Sequence, residues 1–225
     1  LTMRTLSEER KQKTDQLLYA LPISTTQVIL GKYAALLLVF LIPLCFVALY
    51  PLLFSQFGEV YLPTAYGSLF AFFLLGAALI AVGVFLSSLT DNQGLAAGLG
   101  IGAILLNYYS VSLSEYVSST AAGSLVTFAV LIVCLGLIIR ALTRNDMLSI
   151  AVGLVLLAAL IGVYALDGTA LEGLLPDIMK TLSLFSRFSV FVNGVFDLTG
   201  VVYFLSVTVF FLFLAVQSME KRRYS

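Results

Sequence analysis

The side chains able to bind or react lie outside the apolar runs, and the densest group opens the chain. Ser7-Glu8-Glu9-Arg10-Lys11-Gln12-Lys13 is wholly polar and leads into Thr14-Asp15-Gln16-Leu17-Leu18-Tyr19-Ala20-Leu21-Pro22. The spacing predicts a short helix over 14–21. Thr14 can cap its first amides, Asp15 sits at the positive end of its dipole, and Pro22 stops it. Ser24-Thr25-Thr26-Gln27 has capping-box spacing and starts the next helix. The short helix presents Leu17, Leu18 and Leu21 beside a charged strip. Such a surface suits a groove on another protein, and it equally suits lying on lipid. Joined directly to the following helix, it can transmit force.

Other chemistries are missing. There is no His, which excludes a His-based metal site or proton relay. Cys45 and Cys134 sit inside apolar runs and read as small buried side chains, not as a disulfide. Gly31-Lys32 lacks the earlier glycine of a phosphate loop and is followed by Tyr33, so the chain should not bind ATP itself. Gly98-Leu99-Gly100 lies in an apolar helix with no preceding strand, which rules out a nucleotide loop there. With no nucleophile–base pair and no metal cluster, the chain reads as no enzyme and as needing no cofactor. No basic tract is long enough for nucleic acid.

The elements that hold these residues are set by hydrophobicity. The sequence is 60% hydrophobic and 11% charged, against about 45–50% and about 25% in soluble domains. That much apolar surface needs a bilayer as solvent. A crossing helix takes about 20 apolar residues, and six segments qualify, roughly 33–53, 65–88, 94–113, 123–140, 147–166 and 199–217. None carries a charge near its centre, where one costs at least about 2.5–3.5 kcal/mol, and this argues against ion coupling. Alternating sides sorts Arg4, Arg10, Lys11, Lys13, Lys32, Arg140, Arg144, Lys221, Arg222 and Arg223 to one face, and only Lys180 and Arg187 to the other. The basic face is cytoplasmic by the positive-inside rule, with both chain ends on it. The expected architecture is an all-α polytopic bundle in the cell membrane, a single transmembrane domain over 1–225. Its parts are a cytoplasmic element over 1–26, five spans over 27–166, an outer segment over 167–198, and the last span with its tail over 199–225.

Four further features bear on function. Thr90-Asp91-Asn92-Gln93 reads as a turn that caps the next helix; a second contact with a partner is the alternative. Gly94, Gly98 and Gly102 recur on one helix face with small-xxx-small spacing, a packing seam within the chain or across a dimer. Pro43 and Pro51 should kink the first span, either lining a path or shaping the bundle. The segment 177–198 mixes Phe185, Phe188, Phe191 and Phe196 with Lys180, Arg187, Asn193 and Asp197. It reads as an amphipathic stretch lying in or dipping into the outer interface, with a plain extracellular loop carrying a short helix as the alternative.

Leu1-Thr2-Met3-Arg4, Glu8-Glu9-Arg10, Thr14, Leu17-Leu18, Leu21-Pro22-Ile23-Ser24 and Gly31-Lys32 together resemble the signature of ABC-2 type permeases, nearest the gliding-motility and copper-processing branch. Phe185, Arg187, Phe188, Phe191, Gly194, Asp197, Tyr203-Phe204-Leu205-Ser206, Phe213-Leu214 and Glu220-Lys221-Arg222-Arg223 are similar to that family's last segment. Lys13 and Gln16 depart from its usual Gly and Glu. The resemblance implies that two spans precede Leu1 in the family and that the pair 123–166 is extra. It also implies a coupling helix that docks into a separate ATP-binding subunit. Glu8, Glu9, Arg10, Thr14, Leu17, Leu18, Leu21 and Pro22 would form that surface, with Asp91 and Asn92 as a second contact. ATP and Mg would belong to the partner, and a second permease copy or homologue would complete the pathway. The expected function is therefore the permease of an ATP-driven exporter; the alternatives are an ion-coupled carrier or a non-transporting scaffold subunit.

Overall fold

Backbone polar groups in hydrocarbon must be satisfied within their own segment, which leaves the helix as the economical element for apolar runs of this length. The computed structural model describes residues 2, 5–7, 9, 23–116, 120–143, 146–166 and 171–223, and side chains for all of these except 134–143, 146, 148, 149, 222 and 223. Among the described residues there is no strand. The helices are α1 (Thr25–Val47), α2 (Tyr50–Phe54), α3 (Leu62–Leu89), α4 (Gln93–Tyr116), α5 (Ala121–Thr143), α6 (Asp146–Leu166), α7 (Leu174–Leu182), α8 (Leu184–Val192) and α9 (Leu198–Arg223). Five of the six expected spans each fall on one helix, and the first, 33–53, runs over α1 and α2. Four stretches are long and apolar enough to cross a membrane: Thr25–Phe54, Leu62–Leu89, Gln93–Tyr116 and Leu198–Lys221. The other two expected spans contribute the apolar stretches Ala121–Val133 and Ile150–Leu166. The fold is an all-α polytopic bundle.

The first span begins earlier than hydropathy alone implies, at the Ser24 cap, and it is not one rod. Pro43 is accommodated inside α1, but the helix breaks at Ala48–Leu49 before α2 resumes with Pro51 in its first turn. Pro51 has no N–H for the Val47 carbonyl, and its ring crowds that carbonyl, so the break falls just upstream of it. Cys45 is exposed, which corrects the expectation of a buried thiol. It lies on a helix whose surroundings in a bilayer are themselves apolar, so exposure costs a weakly polar thiol little.

The chain divides into two compact units, residues 1–108 with 184–225, and residues 109–183. The boundaries fall within α4 and between α7 and α8. In the second unit α5 and α6 pack against each other, and Gly173, at φ 68°, caps the start of α7.

In the first unit α3 is the central helix, with α1, α8 and α9 against it. Its buried positions include Ala71, Ala77, Ala78 and Ala81, and small side chains let helix backbones approach closely. Gly76 lies under the Phe40 ring and Gly83 under the side chain of Thr2. One apolar cluster, at the α1 start and the ends of α3 and α9, holds Leu6, Ile29, Val84, Leu212, Ala215 and Met219. A second joins α3 to α8 and α9 through Leu74, Leu75, Leu184, Phe191 and Phe204.

α8 settles what becomes of the amphipathic segment in this unit. It is a helix laid along the first half of α3. Gly194 lies beside Thr64, Ser68 Oγ donates to the Phe191 carbonyl at 3.1 Å, and the Phe72 and Phe188 rings are 6.0 Å apart. The partners run in opposite directions, so α8 is antiparallel to α3. A turn through Gly194, at φ 83°, then leads to α9. Asp197 caps α9, its two carboxylate oxygens accepting from the amides of Thr199 (2.9 Å) and Gly200 (3.1 Å).

Candidate functional site: the clamped end of the first unit

The start of α1 and the ends of α3 and α9 meet at one end of the first unit. Ser24 and Gln27 form the expected capping box: Ser24 Oγ accepts from the Gln27 amide at 3.3 Å, and the Ser24 amide donates to Gln27 Oε1 at 3.2 Å. Thr25 Oγ1 donates to Glu220 Oε1 at 2.9 Å and ties α1 to α9. Ser218 Oγ donates to the Ser88 carbonyl at 3.1 Å and ties α9 to α3.

The described residues of the opening segment are built into this end. The amides of Leu6 and Ser7 both donate to Ser87 Oγ, each at 3.2 Å, using both acceptor sites of the hydroxyl. Leu6 is 2% exposed and Ser7 is fully buried. Lys32 Nζ donates to the Thr5 carbonyl at 2.8 Å and forms an ion pair with the Glu9 carboxylate. Lys32 lies two turns into α1, and its long stem lets the ammonium reach the polar segment beneath the bundle.

Of the residues expected to meet a partner, Glu9 is therefore packed against α1 through Lys32. Glu8, Arg10, Thr14, Leu17, Leu18, Leu21 and Pro22 lie outside the described residues. Described chain leaves this end at Glu9 and returns to it at Ile23–Ser24. Asp91 and Asn92 are both exposed. Asn92 has the geometry of a helix cap: its Oδ1 accepts from the Gly94 amide at 2.9 Å, and its own amide donates to Thr90 Oγ1 at 3.2 Å. Of the glycine series on α4, Gly94 has among the described residues only the Asn92 cap near it. Among the described residues nothing lies within 4 Å of a Cβ built on Gly98 or Gly102. The close helix approaches in the first unit are made on α3 instead.

Sequence reasoning missed Ser87, Ser88, Thr25 and Ser218 as clamp residues. Their one signal is positional, since each is a small polar residue in the terminal turns of an otherwise apolar helix. Among the described residues no group of His, Cys, Asp or Glu could hold a metal ion.

Residues 1–122 match the model of a family described as ABC-2 family transporter protein. The match covers just over half of the 225-residue chain and takes in the whole opening motif. It names a family and no branch within it. No curated protein and no solved structure gave a match.

Proposed function

Because this chain belongs to the ABC-2 transporter family, and is thus the multi-pass, non-catalytic permease subunit of an ABC transporter whose ATPase is a separate protein, we propose that it is an exporter driven through residues 7–24. In this reading the basic end of the bundle faces the cytoplasm. The ATP-binding partner, carrying ATP and Mg, grips a surface made of Glu8, Glu9, Arg10, Thr14, Leu17, Leu18, Leu21 and Pro22, with Asp91 and Asn92 beside it. A second copy, or a homologous permease, completes the pathway.

The observation that carries this is the clamp at both flanks of the segment. Upstream, Leu6, Ser7 and Glu9 are fastened to α3 and α1. Downstream, Ser24 caps α1 rigidly. A push delivered between these anchors reaches α1, α3 and α9 together, because Thr25–Glu220 and Ser218–Ser88 join all three helices. Force transmission needs such stiffness, since a segment free at either flank would absorb the displacement.

The test is removal of residues 8–22, with co-purification and ATPase assays on the complex. The variant should insert and keep its fold, lose the ATP-binding subunit in mild detergent, and lose transport-linked ATPase stimulation. Retention of both partner and stimulation would overturn the proposal.

A further inference from the structure

Arg187 stands at a depth where a charge is expensive. The antiparallel register of α8 on α3, Gly194 beside Thr64, Phe191 beside Ser68 and Phe188 beside Phe72, brings Arg187 level with Phe72 and Phe73. α9 gives the same level independently. The guanidinium carbon lies 5.6 Å from the centroid of the Tyr203 ring. Ser218 bonds to Ser88, and fifteen residues back along each of these parallel helices Tyr203 comes opposite Phe73. α3 spans Leu62–Leu89, so Phe73 is near its middle. At 1.5 Å per residue it is about 16 Å from the start of a helix about 42 Å long, so a hydrocarbon layer of about 30 Å centred on α3 holds Phe73 about 10 Å inside its edge. α8 is not a spanning helix, which is why a search for charged residues at span centres passes over this one.

The guanidinium offers five N–H donors. Among the described residues no oxygen accepts from them and no carboxylate pairs with the charge; the contact it makes is with the face of Tyr203. Asp197, ten residues on and as near in sequence as Asp177, has both oxygens engaged by the α9 cap. Arg187 is only half-buried, so its donors are reachable. From Phe188, the next residue of α8, an aromatic wall runs to Phe72 at 6.0 Å and on to Phe40 at 5.8 Å, with Phe72 still 42% exposed. A charge held within the membrane with its hydrogen-bond donors unused marks a functional site by default.

We propose that Arg187, seated on Tyr203, binds the acidic head of an amphiphile, a carboxylate or a phosphate, whose alkyl chain lies along the Phe188–Phe72–Phe40 wall. The planar guanidinium suits a two-pronged bond to either head, and the low-dielectric surroundings strengthen it. The wall supplies the apolar surface that such a tail requires.

The full chain in phosphatidylcholine nanodiscs tests this with no partner and no ATP, so the outcome is independent of the coupling reading. Spin-labelled stearate and its methyl ester are compared by EPR at mildly alkaline pH, where the carboxylate is ionised. The acid should show a motionally restricted component with about tenfold tighter association than the ester, the size expected for a charge-assisted bond. Arg187→Gln should abolish that preference. Arg187→Lys, which keeps the charge and loses the fork, should retain part of it. Spin-labelled phosphatidic acid separates the sources: restriction of both probes assigns the site to acidic bilayer lipids, and restriction of stearate alone assigns it to a free single-chain amphiphile. Equal restriction of acid and ester in the unaltered protein, a comparison that no misfolded variant can confuse, would overturn the proposal. So would a preference that survives Arg187→Gln.

Discussion

A methyl group added at position 76 would enter the space of the Phe40 ring, and one at position 67 would meet nothing within 4 Å. Both residues are glycines within α3, so helix propensity favours alanine equally at each. Packing must then separate them. Gly76→Ala should cost about 1–3 kcal/mol by overpacking, seen as a lower thermal midpoint in detergent, while Gly67→Ala should hold or raise it. The ion pair of Glu9 with Lys32 makes a different kind of claim. Their side chains are 36% and 16% exposed, and pairs this open to solvent contribute about 0–1 kcal/mol. Its weight therefore lies in position. Glu9→Lys should lower partner-stimulated ATPase activity with little loss of stability, and adding Lys32→Glu should recover part of that activity. If the double variant is as inactive as Glu9→Lys alone, the pair does not hold the segment in place. Glu9 was legible as a polar residue of the opening motif. Its partner was not, because the two are 23 residues apart and no local spacing rule reaches that far. The same holds for Ser87, which binds amides 80 and 81 residues away. The regular glycines of α4 were conspicuous in sequence, yet the glycines with rings against them, Gly76 under Phe40 and Gly200 under Phe191, belong to no regular series.

Capping governs the elements as much as hydropathy does. Asp197 fastens the first amides of α9 directly below the turn from α8, beside Gly200, where a Cβ would come within 2.8 Å of the Phe191 ring. Asp197→Ala should cost about 1 kcal/mol, and Asp197→Asn much less, since asparagine caps nearly as well; thermal unfolding in detergent measures both. Pro51 sets the break between α1 and α2. Pro51→Ala restores the missing N–H and should extend α1 without interruption towards Phe54. Pulse EPR between labels at Val39 and Phe54 should then give a longer and narrower distance distribution; an unchanged distribution would place the cause of the break elsewhere. The helices themselves were legible because the bilayer imposes a length of about 20 apolar residues, which few other requirements produce. The course of α8 was not. Alternation of phenylalanines with polar residues shows that one face is apolar but not what covers it, and here the cover is α3, whose Ala71 and Ala78 leave room. The break at 48–49 was foreshadowed by Pro51, although proline alone left its location and its effect on the bundle open.

The family match ends at residue 122, at the start of α5, and the compact unit 109–183 holds the α5–α6 pair. The opening motif and its bonds to Ser87 and Lys32 lie inside the match. α8 and α9 lie outside it, yet they complete the core of the first unit through Phe191, Phe204, Leu212 and Met219. Charge predicts a sidedness for this unit, and the two charges of the basic set whose side chains are described, Lys32 and Lys221, lie at the same end. Lys32 is at the end where Thr25 meets Glu220, next to Lys221, while the link between α2 and α3 is at the other end, where the Tyr66 hydroxyl donates to the Ala48 carbonyl at 3.2 Å. The positive-inside rule assigns the first of these ends to the cytoplasm. In a background of Cys45→Ser and Cys134→Ser, Gly58→Cys should react with a membrane-impermeant maleimide in intact cells, because Gly58 is exposed and unobstructed within its link. Lys221→Cys should react only after permeabilisation. The opposite pattern would put Glu9 and its clamp on the side without ATP. No ATP-binding subunit could then push on residues 7–24, however stiff their anchorage to α1, α3 and α9.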